Sequence, residues 1–401
     1  MSVSHAAGVG SGAVAGVLGL PQVLPGADAV RALVGMFEQV NDPRDPRGLR
    51  HRLATVLTVA VFAVLAGAQN YRQVGDRVAD LPQALVALAG ARECPALGVV
   101  EAPSGSTIRR VLTLVDADAA DRVVGSWLAS LVDSDDGGLA GLAMDAKTVC
   151  GAGGTDGDVT LFSAMAHGVA VVVGQVRVPA ATTETTQVRA LLDGVELAGL
   201  AVTADAAHAQ ADTAEYIVFE RGGDYILQVK ANQVEVLRQI AAVMPAAVVA
   251  TADWSEVEQC DGDTIRRSIW VVDADRVDFP EASRVFRILR ERFDPFGVRV
   301  SKEVVHGVTS VPAHRATPAQ IAGFVRAHWG IESRHWLRDV VFGEDSQGAY
   351  VGNGPHSMAI LRNLVLSLLR LAGVSQVKRL TESIAADRMR ILPVLAAALK
   401  Q

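Results

Sequence analysis

Glu332 sits in the stretch "HWGIESRHWLRDVVFGED", residues 328–345, with His328 four residues before it and His335 three after it. On one helix, residues three, four and seven apart share a face, so His328, Glu332, His335 and Asp339 line up with Trp336 near them. Such a face can hold a metal through its own histidines, since metal-binding helices use these spacings. No HExxH pattern is present, however. The alternative is that Glu332 completes a site begun elsewhere. Two further acids suit this: Asp145 in "LAMDAKTV" and Asp205 in "AVTADAAH" close two apolar, strand-like runs. Strand ends are where sites in such sheets collect. If the strands are neighbours, the two carboxylates lie side by side and raise each other's pKa unless a cation stands between them. Mg²⁺ or Mn²⁺, which prefer oxygen ligands, would resolve the repulsion. With Glu332 as a third ligand the set suits two ions about 3.5–4 Å apart, clamping both oxygens of a phosphoryl displacement. The plainer reading makes each Asp a turn or cap residue and Glu332 an ordinary helix-surface acid.

The chain of 401 residues, half of them hydrophobic, can bury a large core and should form two or three domains. A formal net charge of −7 argues against a generally basic, nucleic-acid-coating surface. Local clustering matters more: Arg44, Arg47, Arg50 and Arg52, with His51, form a compact basic loop in "NDPRDPRGLRHR". The three cysteines, Cys94, Cys150 and Cys260, have no CxxC spacing, which excludes a disulfide framework and fits a reducing cytoplasm. The first Arg or Lys is Arg31, so no basic leader precedes an apolar run. "LATVLTVAVFAVLAGAQ" (53–69) is at the short limit for a membrane span, and its Thr, Ala and Gly content favours a buried helix. A cytoplasmic protein with no membrane partner is expected.

The elements that must position these acids can be read from periodicity. Residues 1–27 form an uncharged Gly/Ala/Val-rich tail apart from one His and Asp28's neighbourhood. Residues 28–136 are helical, with "PSGSTIRRVLTLV" carrying a helix start and two prolines breaking the basic loop. Residues 137–233 run β-β-β-α-β-α-β, which predicts a mixed sheet with helices on its faces. Residues 234–312 are strand-rich, an insertion. Residues 313–375 return to helix, opening on Thr317 as N-cap with Pro318 at the first position. A C-terminal helix occupies 376–401. Both tryptophans, Trp329 and Trp336, are expected to pack the Glu332 helix onto the sheet, unless one of them stacks on an extruded base.

At this point the chain resembles the bacterial insertion-sequence transposases of the DDE type, and within them the ISAs-type branch with an N-terminal transposase-associated helical domain. The matching stretches are "DPRDPRGLRHRLATVLTVAVFAVLAGAQNYRQV", "PSGSTIRRVL", "AMDAKTVCGA", "VTADAAHAQADTAEYIVFERGGDYILQVKANQ", "HWGIESRHWLRDVVFGED" and "GNGPHSMAILRNLVLSLLR", in the family's order. The resemblance implies an α/β, ribonuclease-H-like core with a β-rich insertion before the glutamate helix. It implies that Asp145, Asp205 and Glu332 are the catalytic metal ligands, and that two Mg²⁺ or Mn²⁺ ions support DNA cleavage and strand transfer. The partners it implies are double-stranded DNA, as element ends and target, and a second copy of the chain in a homodimer on DNA.

Around that triad the resemblance leaves roles open. His328, His335 and Arg338 would hold DNA phosphates or orient the acid. Lys147 shares Asp145's strand face and either touches the scissile phosphate or pairs with the acid. His208 either approaches the site or marks a helix start on the surface. Lys230 and Asn232 in "KANQ" follow a strand and suit phosphate contacts, unless Asn232 is a cap. The arginines 44, 47, 50 and 52 suit backbone contacts, unless they pair with Asp42 and Asp45. Glu344 and Asp345 are expected to be structural. The sequence departs from the family's pattern at Ala146 and Cys150, before Glu184 in "TTE", and at "CDGD" (260–263). No metal ligand is lost, but the departures leave room for a catalytically silent, repurposed DNA-binding descendant.

Overall fold

Apolar runs of β-branched residues after residue 139 build one nine-stranded sheet, and helices occupy the chain on either side of it. The computed structural model describes residues 24–47, 49–132, 137–154, 157–244, 249–348 and 351–399. The expected tail therefore lies outside the described residues up to residue 23. Two units divide the chain: Met1–Trp127, Val149–Asp158 and Arg338–Gln401 form one, and Leu128–Thr148 with Val159–Leu337 form the other.

In the first unit, α1 (Ala27–Phe37), α2 (Leu53–Leu65), α3 (Tyr71–Ala79), α4 (Gln83–Leu88) and α5 (Gly105–Leu114) follow one another. Helix α6 (Ala117–Ala129) leads out of it. Every residue of α2 is buried, as a helix apolar on all sides must be. Among the described residues no helix is long and apolar enough to cross a membrane. The Ser104 hydroxyl accepts the Thr107 amide and caps α5 at the predicted start. One hairpin interrupts the helices where none was expected: β1 (Arg92–Cys94) pairs antiparallel with β2 (Val99–Glu101).

The sheet strands are β3 (Ala140–Gly154), β4 (Gly157–Ala166), β5 (Val171–Val178), β6 (Leu200–Ala204), β7 (Asp224–Val229), β8 (Trp254–Cys260), β9 (Asp263–Asp273), β10 (Arg284–Phe293) and β11 (Arg299–Thr309). Their spatial order is β5-β4-β3-β6-β7-β11-β10-β9-β8. Strands β3, β6 and β7 are parallel, while β4–β5 and the pairs from β7 to β8 are antiparallel. Short helices α7 (Val188–Leu192) and α8 (Ala211–Glu215) link β5 to β6 and β6 to β7, giving the expected β-β-β-α-β-α-β order. This is the ribonuclease-H-like mixed sheet. The strand-rich stretch after α9 (Val234–Val243) extends it by antiparallel addition rather than forming a separate layer.

Two helices return to the sheet, α10 (Pro318–His328) and α11 (Gly330–Val340). The single long helix expected here is interrupted at Trp329, although Trp329 keeps right-handed helical torsions and accepts the Ser333 amide. Thr317 and Gln320 form the predicted N-terminal cap as a reciprocal capping box. Helix α10 buries Ile321, Ala322 and Val325 against Ala201, Ile226, Ile269 and Phe286 of the sheet. Helix α11 seats Ile331 against Ala143, Met165 and Val172.

The last helices belong to the first unit: α12 (Gly354–Leu371), α13 (Val377–Ala386) and α14 (Ile391–Ala398). The expected single C-terminal helix is thus two, broken at Asp387. Helix α12 packs on α2 and α5 and carries Arg362, which is fully buried. Arg362 donates to Glu344 at 3.2 Å and to the Gln69 carbonyl at 2.7 Å, and Arg338 pairs with the same Glu344 at 2.8 Å. Glu344 is therefore structural, as expected for the first member of its acidic pair.

Candidate active site

Strand register places the two aspartates. Ala140 pairs with Leu200 and Ala143 with Thr203 on parallel neighbours, so two residues further along each strand Asp145 and Asp205 come level. Alternation puts them on the same face as Ala143 and Thr203, the face that α10 and α11 cover. Asp205 follows the last residue of β6, as expected. Asp145 does not end its strand: β3 runs on to Gly154, and only its ladder with β6 stops just before the acid.

Burial pushes the Asp145 carboxyl up to about 6; the Ala146 amide opposes this, and the charges of Glu184, Asp205 and Glu332 add to it. Three carboxylates therefore act on Asp145 here. His335, from α11, brings Nδ1 to 3.5 Å from Asp145 Oδ2. Glu332 lies on the exposed side of α11, one residue after the buried Ile331 that fixes the helix. The oxygen-rich donor set, with one carboxyl pushed up first by burial and then by its acidic neighbours, fits a divalent cation.

The tightest group is a different one. Glu184, Asp205 and His208 offer ligand atoms that all lie within 4.8 Å of one another, with Asp145 and Glu332 outside that group. Glu184 begins a 3₁₀ turn ahead of α7, and Asp205 caps the turn Ala206–His208 by accepting the Ala207 amide at 3.0 Å. The only sequence signal for Glu184 was its place in "TTE". For His208 it was the three-residue distance from Asp205, which left its role open.

Behind Asp205, the Thr203 hydroxyl lies 3.0 Å from His167 Nε2 and 3.2 Å from His328 Nδ1. Burial pushes both imidazoles down to about 4, so both are neutral near pH 7. Gly141 makes the arrangement possible, because a Cβ there would overlap the His167 ring. His167 was not picked out from the sequence.

Several expected phosphate contacts are committed to the fold instead. His328 is buried against Thr203. Arg338 is 1% exposed and held by Glu344, too deep to reach a ligand. The Arg44 side chain is 6% exposed and bonds Asp42 and the His51 carbonyl, so it stiffens its loop. Asn232 caps no helix: it is exposed, and its side chain donates to the Ala206 carbonyl at 2.6 Å, pinning the turn after Asp205. Arg47, Arg50, Arg52 and Lys230 are exposed, with Arg52 3.7 Å from Glu38, and Lys147 is half-buried. Trp329 is half-buried beneath the Arg290 guanidinium, but Trp336 is 60% exposed and is not a core residue. Its position on α11, one turn after Glu332, leaves it outside the stripe formed by Ile331, Arg334 and Arg338.

Comparison with known proteins gives the same family for both halves of the chain. Residues 34–128 match the family model described as DDE_Tnp_1-associated, and residues 140–368 match the one described as transposase DDE domain. YncI of Escherichia coli O157:H7, named as a candidate transposase, is 26% identical over 85% of this chain and 88% of its own length. YhhI of Escherichia coli K12, named as an H repeat-associated candidate transposase, is 24% identical over 92% of this chain and 98% of its own. A protein of Xanthobacter autotrophicus is 30% identical over 59% of this chain and 79% of its own. Among solved structures, the piggyBac transposase synaptic complex with hairpin DNA aligns with a TM-score of 0.43 and 9% identity, covering 92% of this chain and 81% of that one. The transposase DDE domain match spans more than half of the chain, from β3 through most of α12. The chain belongs to the DDE transposase family.

Proposed function

We propose that the protein is an active DNA transposase whose metal-dependent strand cleavage and strand transfer depend on Asp145, Asp205 and Glu332. The observation that carries this reading is the level placement of Asp145 and Asp205 on adjacent parallel strands, with the charge of Glu332 acting on Asp145. Divalent Mg²⁺ or Mn²⁺, as two ions, would supply activation of the attacking oxygen and stabilisation of the leaving one. The three carboxylates would hold them. His335 orients Asp145, and the Thr203 hydroxyl with the neutral His167 and His328 supports the strand that ends on Asp205. Lys147 borders the acids from their own strand face. Exposed Arg47, Arg50, Arg52 and Lys230 suit phosphate contacts, whose strength falls with added salt. Two element ends must be joined, so the working form on DNA is a homodimer.

The test is cleavage of a labelled duplex carrying the element's own end, with Mg²⁺ or Mn²⁺. Asp145→Asn, Asp205→Asn and Glu332→Gln should each cut at least about a thousandfold more slowly while staying folded. Full cleavage by any one of them overturns the assignment of that residue. A second reading, a DNA-binding descendant without cleavage, is favoured by the burial of Arg44 and Arg338 together with the net negative charge. End binding by the unmodified chain with no cleavage under either ion would establish it.

A further inference from the structure

We propose that Glu184, Asp205 and His208 form a mixed nitrogen–oxygen cation site that takes a transition ion such as Mn²⁺ or Zn²⁺ in preference to Mg²⁺. The site shares Asp205 with the carboxylate triad and deepens the proposed function, resting on the reading of Asp205 as a cation ligand.

Local geometry brings the three together. Asp205 and His208 bracket a 3₁₀ turn, in which side chains three apart eclipse one another. The Asn232 bond to the Ala206 carbonyl fixes that turn. Glu184 arrives from the connection after β5 and sets a carboxylate oxygen 3.5 Å from His208 Nε2. Ligands held at about 2.1 Å by one ion stand no more than about 4 Å apart, so small side-chain rotations close the 4.8 Å group.

The independent pointer is His208 itself. Its side chain is 1% exposed and lies flat on Phe162, ring centroids 5.0 Å apart and planes within 6°. Among the described residues neither ring nitrogen has a hydrogen-bond partner. A buried imidazole whose Nδ1 is unbonded and whose Nε2 meets only the Glu184 carboxylate, at 3.5 Å and without a hydrogen bond, is costly, and a cation between Nε2 and that carboxylate lowers the cost. Imidazole suits Zn²⁺ and the other later transition ions; Mn²⁺ shares the oxygen preference of Mg²⁺ but tolerates a nitrogen ligand, whereas Mg²⁺ keeps oxygen ligands and waters. An all-carboxylate pair at Asp145 and Glu332 beside a nitrogen-bearing position makes the two halves of the site chemically unequal.

The experiment is pulsed electron paramagnetic resonance of the full-length protein with Mn²⁺ alone. Bound Mn²⁺ should show coupling to an imidazole ¹⁴N. The coupling should survive in His335→Gln, Asp145→Asn and Glu332→Gln and disappear in His208→Gln. It should also persist under about a hundredfold excess of Mg²⁺. Glu184→Gln, at a half-exposed position that does not threaten folding, should weaken Mn²⁺ binding at least about tenfold. Absence of nitrogen coupling, its survival in His208→Gln, its loss in His335→Gln, or unchanged affinity in Glu184→Gln each overturns the proposal. The triad assignment fails separately, if Asp145→Asn or Glu332→Gln cleaves DNA normally while the nitrogen coupling is intact.

Discussion

His335 Nδ1 stands 3.5 Å from Asp145 Oδ2, joining the helix that carries Glu332 to the strand that carries the first aspartate. The contact spans nearly the whole ribonuclease-H-like core in sequence, yet it is local in space because β3 and α11 share the cluster of Ala143 and Ile331. Removing it should loosen both acids without deleting either. His335→Gln should slow cleavage about 10- to 100-fold, the range for partners that orient a metal ligand. It should raise the Mn²⁺ concentration needed for half-maximal rate. A variant with wild-type Mn²⁺ dependence would assign His335 to packing alone.

Asp145 carries a pH signature. Its folded pKa of about 6 exceeds the unfolded 3.8, so between those values the folded state holds more protons. Stability from this group is therefore fully present below about 4 and falls as pH rises through about 6. The gap corresponds to at most about 3 kcal/mol. Without divalent ions, Asp145→Asn should be more stable than wild type at pH 7.5 by about 1–2 kcal/mol and equal to it near pH 4. Urea unfolding at the two pH values measures this. An Asn variant less stable than wild type at pH 7.5 would remove burial and repulsion as the cause.

Gly141→Ala tests the support behind Asp205. The added methyl overlaps the His167 ring and must expel it from Thr203. Overpacking of this kind costs about 1–3 kcal/mol. Gly141→Ala combined with His167→Ala should recover part of that loss, and denaturant melts showing no recovery would place the clash elsewhere.

Arg362→Ala should cost about 1–3 kcal/mol, because it removes the hydrogen bonds to Glu344 and to the Gln69 carbonyl while Glu344 keeps Arg338 as its cation. Arg362→Leu should recover part of that loss, since it refills the space and leaves Glu344 paired with Arg338. A thermal melt within about 0.5 kcal/mol of wild type would mean that water or relaxation satisfies Glu344.

Trp336→Ala should leave folding stability within about 0.5 kcal/mol, since the ring is 60% exposed. If the indole stacks on an unpaired base beside the cleavage site, binding of a nicked or hairpin end should weaken by about 1–3 kcal/mol, with duplex binding unchanged. Equal loss on both substrates would argue for a general surface contact.

The strand–helix order and the capped start of α10 were legible because each depends on periodicity or on caps within a few residues; that the strands of Asp145 and Asp205 are neighbours was only a condition, because pairing of β3 with β6 is set by the folded sheet. The hairpin Arg92–Glu101 was not, since three-residue strands carry too little alternation to read. Burial of Arg44 and Arg338 was hidden for another reason: an arginine reads as a surface residue unless its partner is known, and Glu344 and Asp42 become partners only in the folded chain. Trp336 looked like core by type, but its angular position on α11 decides its exposure. Glu184 joins the site from the loop after β5, where no local pattern distinguishes it from any solvated acid.

The stretch between β7 and α10 leaves the sheet at Val229 and returns through β11, which pairs with that same strand: His306 lies opposite Val229 and Thr309 opposite Ile226. Ser310 and Arg315 then bind Asp224 at the start of β7. The detour is thus sewn shut where it opened. The approach of α10 and α11 to the two aspartates starts from the few residues after Thr309 and is held by Ile269 and Phe286, which pack on α10, so the far turn of the β10–β11 hairpin takes no part in it. Doubling a closed loop costs only about 0.6 kcal/mol, so the outer hairpin is a region where length can drift between relatives. Insertions, deletions or a fused tag at the β10–β11 turn around Phe296 are therefore changes that evolution or an engineer can make without re-aiming Glu332.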